Sequence, residues 1–447
     1  MVSTRPLRGL LNQRGRWDPH LLNQRGRWDP HLLNQRGSLG CGRPASSEVG
    51  AGWSPCQGVG MWVGDDQRRA RLGVRQALAL PVADPVAATE SVVCLHATEA
   101  ASPYLSAWAR SGATREQFAA ALYDERSLVK QLAMRRKVFV FPRDLLPAVW
   151  GSASARVVAA IAPRLAKEVE AGGFSDDGTT WLAARIEEIE SALTEQPRTT
   201  AQLRELLPEL NRRMLLSAGS NYAADVAIAN RVVTVAAASG RVQRGLNQGG
   251  WRVMRPEWTT AEHWLGEPAT PLSAADGYRL LIQRWLRQFG PGTETDLVWW
   301  LGATKAAVRR ALGELDAVEV QTSCGPGYLL PDDLDQVADP EPWAALLPVL
   351  DPTTMGWKQR DFYLGEHGPH LFDRNGNGGT TAWWNGRIVG GWHQDPDAVV
   401  HVDLLEEVGE DAKRALAAKA DELTEWLAGE RVGSVYHSPL TRSALAD

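Results

Sequence analysis

The stretch 297–330 contains two short helical patterns followed by a hairpin pattern, and few folds accept that order. An apolar helix is predicted over 297–301, with the turn at Gly302 and polar N-cap candidates ahead of it: Thr293, Thr295 and Asp296. A second helix is predicted over 304–315, because apolar residues recur there at spacings of one, three and four and form one buried stripe.

Three bases of this second helix lie largely off the apolar stripe, and they are Lys305, Arg309 and Arg310. A two-stranded β-ribbon is then predicted from alternating apolar and polar residues at 318–320, a Gly-Pro-Gly turn, and an apolar run at 328–330. Helices and ribbon in this order predict a winged-helix domain over 273–336. Winged helices bind DNA or proteins, and exposed bases on a helix are often only a solvated face.

Two earlier parts of the chain show the same combination of helices and a basic ribbon. Residues 61–192 predict a first winged-helix domain with long helices, and 193–272 predict a second one and a linker. The candidate DNA-contacting bases of their ribbons are Arg135, Arg136 and Lys137 in the first domain and Arg241, Arg244 and Arg252 in the second.

From residue 337 the pattern changes to short apolar runs separated by turns, including Asn-Gly pairs at 375–376 and 385–386. This predicts a β-rich, barrel-like domain over 337–447, completed by a helix at about 410–427 and a short strand at 431–436. The sequence therefore predicts an α+β fold, with three tandem winged-helix domains followed by a β-rich domain.

Residues 1–60 contain a perfect 11-residue repeat, LLNQRGRWDPH, at 10–20 and again at 21–31. Each copy carries a Gly and a Pro that would break a helix, and the identity of the copies suggests duplicated nucleotide sequence more than a solenoid. We expect this extension to be disordered and Met61 to be the true start of translation, which N-terminal sequencing of the native protein would decide.

The charge is distributed unevenly along the chain. The net charge is −5, yet eight bases stand against three acids between residues 124 and 164, so any DNA contact must be local. The four cysteines have no metal-like or paired spacing, and no run of about 18 apolar residues is present. We expect a cytoplasmic, monomeric protein without metal, cofactor or membrane partner.

Three segments, 91–110, 128–146 and 346–390, resemble the AlkZ-like winged-helix DNA glycosylases, and the likeness spans about residue 67 to the C-terminus. The resemblance implies a monofunctional glycosylase that hydrolyses the N-glycosidic bond of alkylated purines in duplex DNA. In that family a Gln-apolar-Gln or Gln-apolar-Asp triplet positions the attacking water. The matching residues here are His96-Ala97-Thr98, so neither glutamine is present.

The candidate catalytic residues are therefore His96, Thr98 and Glu99. An imidazole can orient or deprotonate water, and a hydroxyl can donate and accept one hydrogen bond. Glu99 offers a carboxylate, but in an extended chain it faces away from the other two. The alternative is a structural polar cluster between two helices, in which case the protein is a non-catalytic DNA binder or, third, a protein-interaction scaffold.

Overall fold

The computed structural model describes residues 60–216, 224–267 and 269–444. The expectations for residues 1–59 lie outside the described residues. The helices are α1 Asp65–Arg75, α2 Pro85–Glu90, α3 Ser102–Ser111, α4 Arg115–Tyr123, α5 Leu146–Val149, α6 Ala155–Ala171, α7 Gly178–Glu195, α8 Thr200–Leu206, α9 Pro208–Asn211, α10 Ala229–Ala238, α11 Ala261–Leu265, α12 Ala274–Phe289, α13 Glu294–Leu301, α14 Lys305–Glu314, α15 Asp361–Leu364, α16 Gly368–Leu371, α17 Glu410–Leu427 and α18 Pro439–Ala444.

Short antiparallel sheets accompany these helices, and the α+β prediction is confirmed. The strands are β1 Leu95–His96, β2 Leu128–Leu132, β3 Val138–Pro142, β4 Arg213–Leu216, β5 Ala224–Ala227, β6 Val242–Asn247, β7 Pro256–Thr260, β8 Val318–Thr322, β9 Gly325–Leu329, β10 Ala344–Leu347, β11 Thr381–Trp384, β12 Arg387–Gln394 and β13 Val400–Leu404.

The first predicted domain contains a three-stranded sheet in the order β1-β3-β2. Helix α4 begins at a capping box formed by Thr114 and Gln117, as their spacing predicts. Strands β2 and β3 are buried along their whole length, as expected for a run rich in strand formers. The short strand β1 pairs Leu95 with Val140 and His96 with Phe139, which places the start of the polar link, residues 96–99, against the β2–β3 hairpin.

The stretch 297–330 folds into the predicted elements. Helix α13 starts at a capping box of Thr293 and Asp296, helix α14 starts at the Thr304 cap, and β8 pairs with β9. A further segment, Met61–Val63, lies along β8, where the Val63 N–H donates to the Gln321 carbonyl at 2.8 Å. The helices and the ribbon are confirmed, and the assignment of three winged-helix domains stays a prediction.

In the second predicted domain, the sequence pattern predicts a helix over 225–238, and the observed helix is shorter. Residues Ala224–Ala227 form a strand paired with Arg213–Leu216, and the helix begins only at Ala229. The apolar residues from 225 onward are compatible with a helix or a strand. Pairing with the neighbouring strand β4 stabilises the strand.

The C-terminal part contains one sheet in the order β10-β11-β12-β13, with α17 packed on it. The barrel prediction is not confirmed, because within the described residues no ladder joins the outer strands β10 and β13. The strand predicted at 431–436 is wrong. That segment is held by side chains instead: the Val432 N–H donates to Gln394 Oε1 at 2.8 Å.

A buried ion pair joins helix α3 to the C-terminal part. The guanidinium of Arg110 donates to both carboxylate oxygens of Asp351, at 2.9 and 2.7 Å, and both side chains are fully buried. Ser106 Oγ donates to the same carboxylate at 2.6 Å. A buried pair with several hydrogen bonds fixes position more than it adds stability, so the link ahead of α3 has a rigid support.

One helical stretch, Arg143–Ala171, is long and apolar enough to cross a membrane by length and composition. Half of its most apolar window is buried inside the protein, a share that the core helix of a globular domain also shows.

Candidate functional site

The turn between β2 and β3, residues 133–137, is called the first tip below. Arg135 and Arg136 both have left-handed backbone angles, with φ of 55° and 59°. Residues with a Cβ adopt this region at a cost of about 1 kcal/mol or more each, and such strain concentrates at functional sites. Backbone hydrogen bonds close the turn, including one from the Ala133 N–H to the Lys137 carbonyl at 2.9 Å.

The charged ends of the first tip lie against aromatic rings. The Arg135 guanidinium lies 4.3 Å from the centroid of the Trp299 ring, and Arg360 lies 5.3 Å from the same centroid. Burial, with a contribution from Arg360, lowers the pKa of Arg135 to about 10, so it stays charged at neutral pH. Lys137 Nζ lies 3.5 Å from the hydroxyl of Tyr436.

None of the three bases of the first tip forms an ion pair with a carboxylate in the part of the chain that the structure describes. Two clefts open beside the first tip, and both are lined by Arg135 and Arg136. One, of about 350 Å³, reaches Arg231 on α10, and the other, of about 420 Å³, reaches Arg156 on α6. Arg231 pairs with Glu168, so the positive charge of the trough formed by these two clefts comes from the first tip and Arg156, and it suits a polyanion.

His96 lies beside this trough but is only 5% exposed. Its ring meets Phe139 edge-on, with 4.9 Å between centroids. Burial, with smaller contributions from the charges of Arg135 and Lys137, lowers the pKa of His96 to about 3. The Thr98 N–H donates to Nδ1 at 3.4 Å, so the neutral ring carries its proton on Nε2.

The other two residues of the link point to different surroundings. Thr98 Oγ1 is buried and finds no hydrogen-bond partner among the described residues, so its hydrogen-bonding capacity is unused there. Glu99 Oε1 accepts from the Val435 N–H at 3.0 Å and from Ser434 Oγ at 3.3 Å. Glu99 therefore faces the C-terminal segment, the direction that strand alternation predicts.

The structure brings the link and the first tip together. The Ala97 N–H donates to the carbonyl of Val138 at 2.9 Å, and Val138 directly follows Lys137 of the first tip. His96, Thr98 and the first tip thus share one sheet edge. Within the described residues no group of three or more His, Cys, Asp or Glu side chains could hold a metal ion.

The remaining predicted bases have partners of their own. Arg241 pairs with Glu190, Arg252 with Glu430 at 2.7 Å, Lys305 and Arg309 with Glu294 at 3.5 and 2.5 Å, and Arg310 with Glu314 at 2.6 Å. Arg244 lies 4.5 Å from the Trp258 ring centroid, and burial lowers its pKa to about 10. None of these bases lines the two clefts beside the first tip.

Sequence reasoning missed several residues of the site. The sequence favours the core for both Trp299 and Trp300 over a base-stacking role; Trp300 is core, but Trp299 is half-buried and contacts the guanidiniums of Arg135 and Arg360. Tyr436 reaches Lys137 from a position 299 residues further along the chain. A contact between residues so far apart in the sequence cannot be predicted from a local pattern.

The sequence profile of the family described as DNA glycosylase AlkZ-like matches residues 89–426. Among curated proteins, none matches this sequence significantly. Among solved structures, the Streptomyces sahachiroi DNA glycosylase AlkZ is similar, with a TM-score of 0.64 and 18% sequence identity over 82% of this chain and 98% of that chain. At this identity the likeness shows a shared fold.

Proposed function

The protein belongs to the AlkZ-like DNA glycosylase family, and from that premise we propose that it is a monofunctional glycosylase acting on alkylated purines in duplex DNA. The cleaved bond is the N-glycosidic bond, and water is the nucleophile. The proposed partner is double-stranded DNA, bound by a cytoplasmic monomer. The first tip holds the DNA backbone, through Arg135, Arg136 and Lys137.

One observation carries the proposal: the polar link after β1 lies on the same sheet edge as the first tip, whose bases have no carboxylate partner among the described residues. Phosphate contacts by such bases position a duplex without reading its sequence. The link would then lie next to the sugar of a bound nucleotide.

The chemistry asked of the link is modest. An N7-alkylated purine is already cationic, so it leaves without much acid catalysis. The site has to orient a water molecule and to stabilise an oxocarbenium-like sugar. These are tasks of geometry and electrostatics more than of strong bases.

His96 and Thr98 supply that geometry in the proposal. With a pKa of about 3, His96 is neutral at physiological pH and is a weak base, so its role is to orient water by donating from Nε2. Thr98 Oγ1 offers one donor and one acceptor to the same water. Glu99 is engaged with the C-terminal segment and is assigned no chemical step.

The test is release of base from duplex DNA that contains N7-methylguanine, measured as abasic sites. We expect the native chain to exceed spontaneous depurination, and His96→Ala and Thr98→Val to slow release by about 10²-fold, the usual worth of one positioned catalytic group. Thr194→Val, at an exposed helical site, is the matched control. Release at the spontaneous rate, or equal release by all variants, contradicts the proposal.

A second candidate, a non-catalytic duplex or damage binder, is favoured by the burial of His96 and by the absence of both family glutamines. It predicts salt-dependent DNA binding with no base release. The same assay separates the two functions when binding and release are measured together.

A further inference from the structure

The segment Gly433–His437, called the C-terminal strap, is fixed at both ends. At its start, Glu430 accepts from Arg115 at 2.6 Å and from the indole N–H of Trp251 at 3.0 Å, and pairs with Arg252 at 2.7 Å. At its end, Ser438 is buried and its hydroxyl accepts from the Thr441 N–H at 3.2 Å. The strap therefore spans two firm supports.

Between these supports the strap crosses the candidate site. Glu99, in the link, holds the Val435 N–H at 3.0 Å, and Lys137, in the first tip, lies 3.5 Å from the Tyr436 hydroxyl. A carboxylate that accepts a backbone N–H makes a charge-assisted bond, stronger than a neutral one. The strap is thus attached to both halves of the site.

Two features of the strap suit it to contact DNA. No acid occurs between residues 431 and 446, although acids are frequent from 406 to 430. Val435 is 82% exposed, the highest value among the exposed large apolar side chains of the described residues. An apolar side chain held outward beside a basic groove is the arrangement by which proteins wedge between base steps.

We propose that the C-terminal strap is part of the DNA-binding surface, with Val435 as an apolar wedge and Glu99 as the positioning residue that holds it. This rests on the proposed function only in the identity of the ligand. Glu99 then serves as an anchor through its oxygen, so glutamine, which keeps that acceptor, can replace it.

The first experiment compares Glu99→Gln with Glu99→Ala in the full chain. Amide hydrogen exchange at Val435 is expected to accelerate at least about tenfold in Glu99→Ala, because one hydrogen bond worth about 1.4 kcal/mol is lost, and to return close to the native rate in Glu99→Gln. Duplex binding should follow the same order. Equal losses of duplex binding in both variants, with unchanged exchange at Val435, overturn the anchor.

The second experiment compares Val435→Ser with Leu80→Ser, a matched change at a side chain that is 60% exposed and lines neither cleft. We expect Val435→Ser to weaken duplex binding about tenfold and Leu80→Ser to leave it unchanged. Equal binding by the two variants overturns the wedge.

The two proposals fail separately. A native chain that binds duplex DNA but releases no base contradicts the glycosylase function, while the exchange and binding measurements still decide the strap. If the native chain releases base, and Val435→Ser and Glu99→Ala bind duplex DNA as well as the native chain does, only the proposal for the C-terminal strap is contradicted.

Discussion

The first tip and helix α14 each present three bases, but their surroundings differ. In α14, Glu294 pairs with Lys305 and Arg309, and Glu314 pairs with Arg310, so two carboxylates offset two of the three charges. Within the described residues no carboxylate pairs with Arg135, Arg136 or Lys137. Counting bases in the sequence ranks the two regions equally, whereas the field outside the protein favours the first tip.

The backbone geometry also distinguishes the first tip from helix α14 as the better candidate for a binding site. Helix α14 is regular and begins at an ordinary Thr304 cap, so nothing in its geometry requires a function. The first tip holds Arg135 and Arg136 in the left-handed region; Arg135 lies against Trp299, and both arginines line the two clefts. Strain that the surrounding structure maintains is the stronger sign of a binding site.

The largest expected effect comes from removing the charges of the first tip. Changing Arg135, Arg136 and Lys137 together to Gln should weaken duplex binding about a hundredfold and reduce the magnitude of the salt slope by about three, because three phosphate contacts are lost. The same triple change at Lys305, Arg309 and Arg310 should cost less than about threefold. Fluorescence anisotropy at several salt concentrations measures both. Equal losses would remove the distinction between the regions.

Acid should destabilise the native chain through His96, which lies beside the first tip. Its folded pKa of about 3 is below the unfolded value, so its contribution is intact above pH 6.5 and is lost as pH falls toward 3. By pH 5 the expected loss is about 2 kcal/mol, or about thirtyfold in the unfolding constant. Urea unfolding at pH 7 and pH 5 checks it.

The control for that prediction is His96→Asn, which cannot titrate in this range. The difference in stability between pH 7 and pH 5 should be smaller in this variant by about the same 2 kcal/mol. An unchanged difference would place the proton uptake elsewhere and would contradict the described burial of the ring.

The aromatic ring of Trp299 should contribute to duplex binding by supporting Arg135. Trp299→Leu removes the surface on which Arg135 lies, and a cation–π contact of about 1 kcal/mol predicts about fivefold weaker duplex binding. Trp299→Phe keeps an aromatic face and should restore most of the loss. A phenylalanine variant as weak as the leucine variant would mean that packing alone is responsible.

The smallest effect is expected from removing the carboxylate that pairs with two bases of helix α14. Glu294→Gln releases Lys305 and Arg309, and the added positive field should raise duplex affinity only about twofold. The sharper version combines it with the triple change in the first tip. If Glu294→Gln recovers the affinity that the triple change removed, α14 is the true contact and the comparison fails.

Local pattern was enough for much of the fold. Residues 297–330 predict their two helices and ribbon, and Thr114 and Gln117 predict their capping box, because these features depend on neighbours within a few residues. The pattern was insufficient at 225–228 and 431–436, where a partner strand or a distant side chain decides the structure. The barrel depended on strand closure, which no local pattern encodes.

The candidate site divides in the same way. The nearness of His96 to Arg135–Lys137 depends on the β1–β3 pairing across more than 40 residues, and the contact with Tyr436 crosses 299. Charge alone also misled, because Glu190, Glu294 and Glu430 pair with the predicted bases of other elements. Sequence reveals which residues are basic, but only the fold determines which of them remain unpaired.

The most direct test of the central claim is amide hydrogen exchange of the full chain with and without duplex DNA. We expect slower exchange at residues 95–99 and 133–138 when DNA is bound, with little change in helix α14. Protection confined to residues 305–329, with none at the first tip or the link, would contradict it.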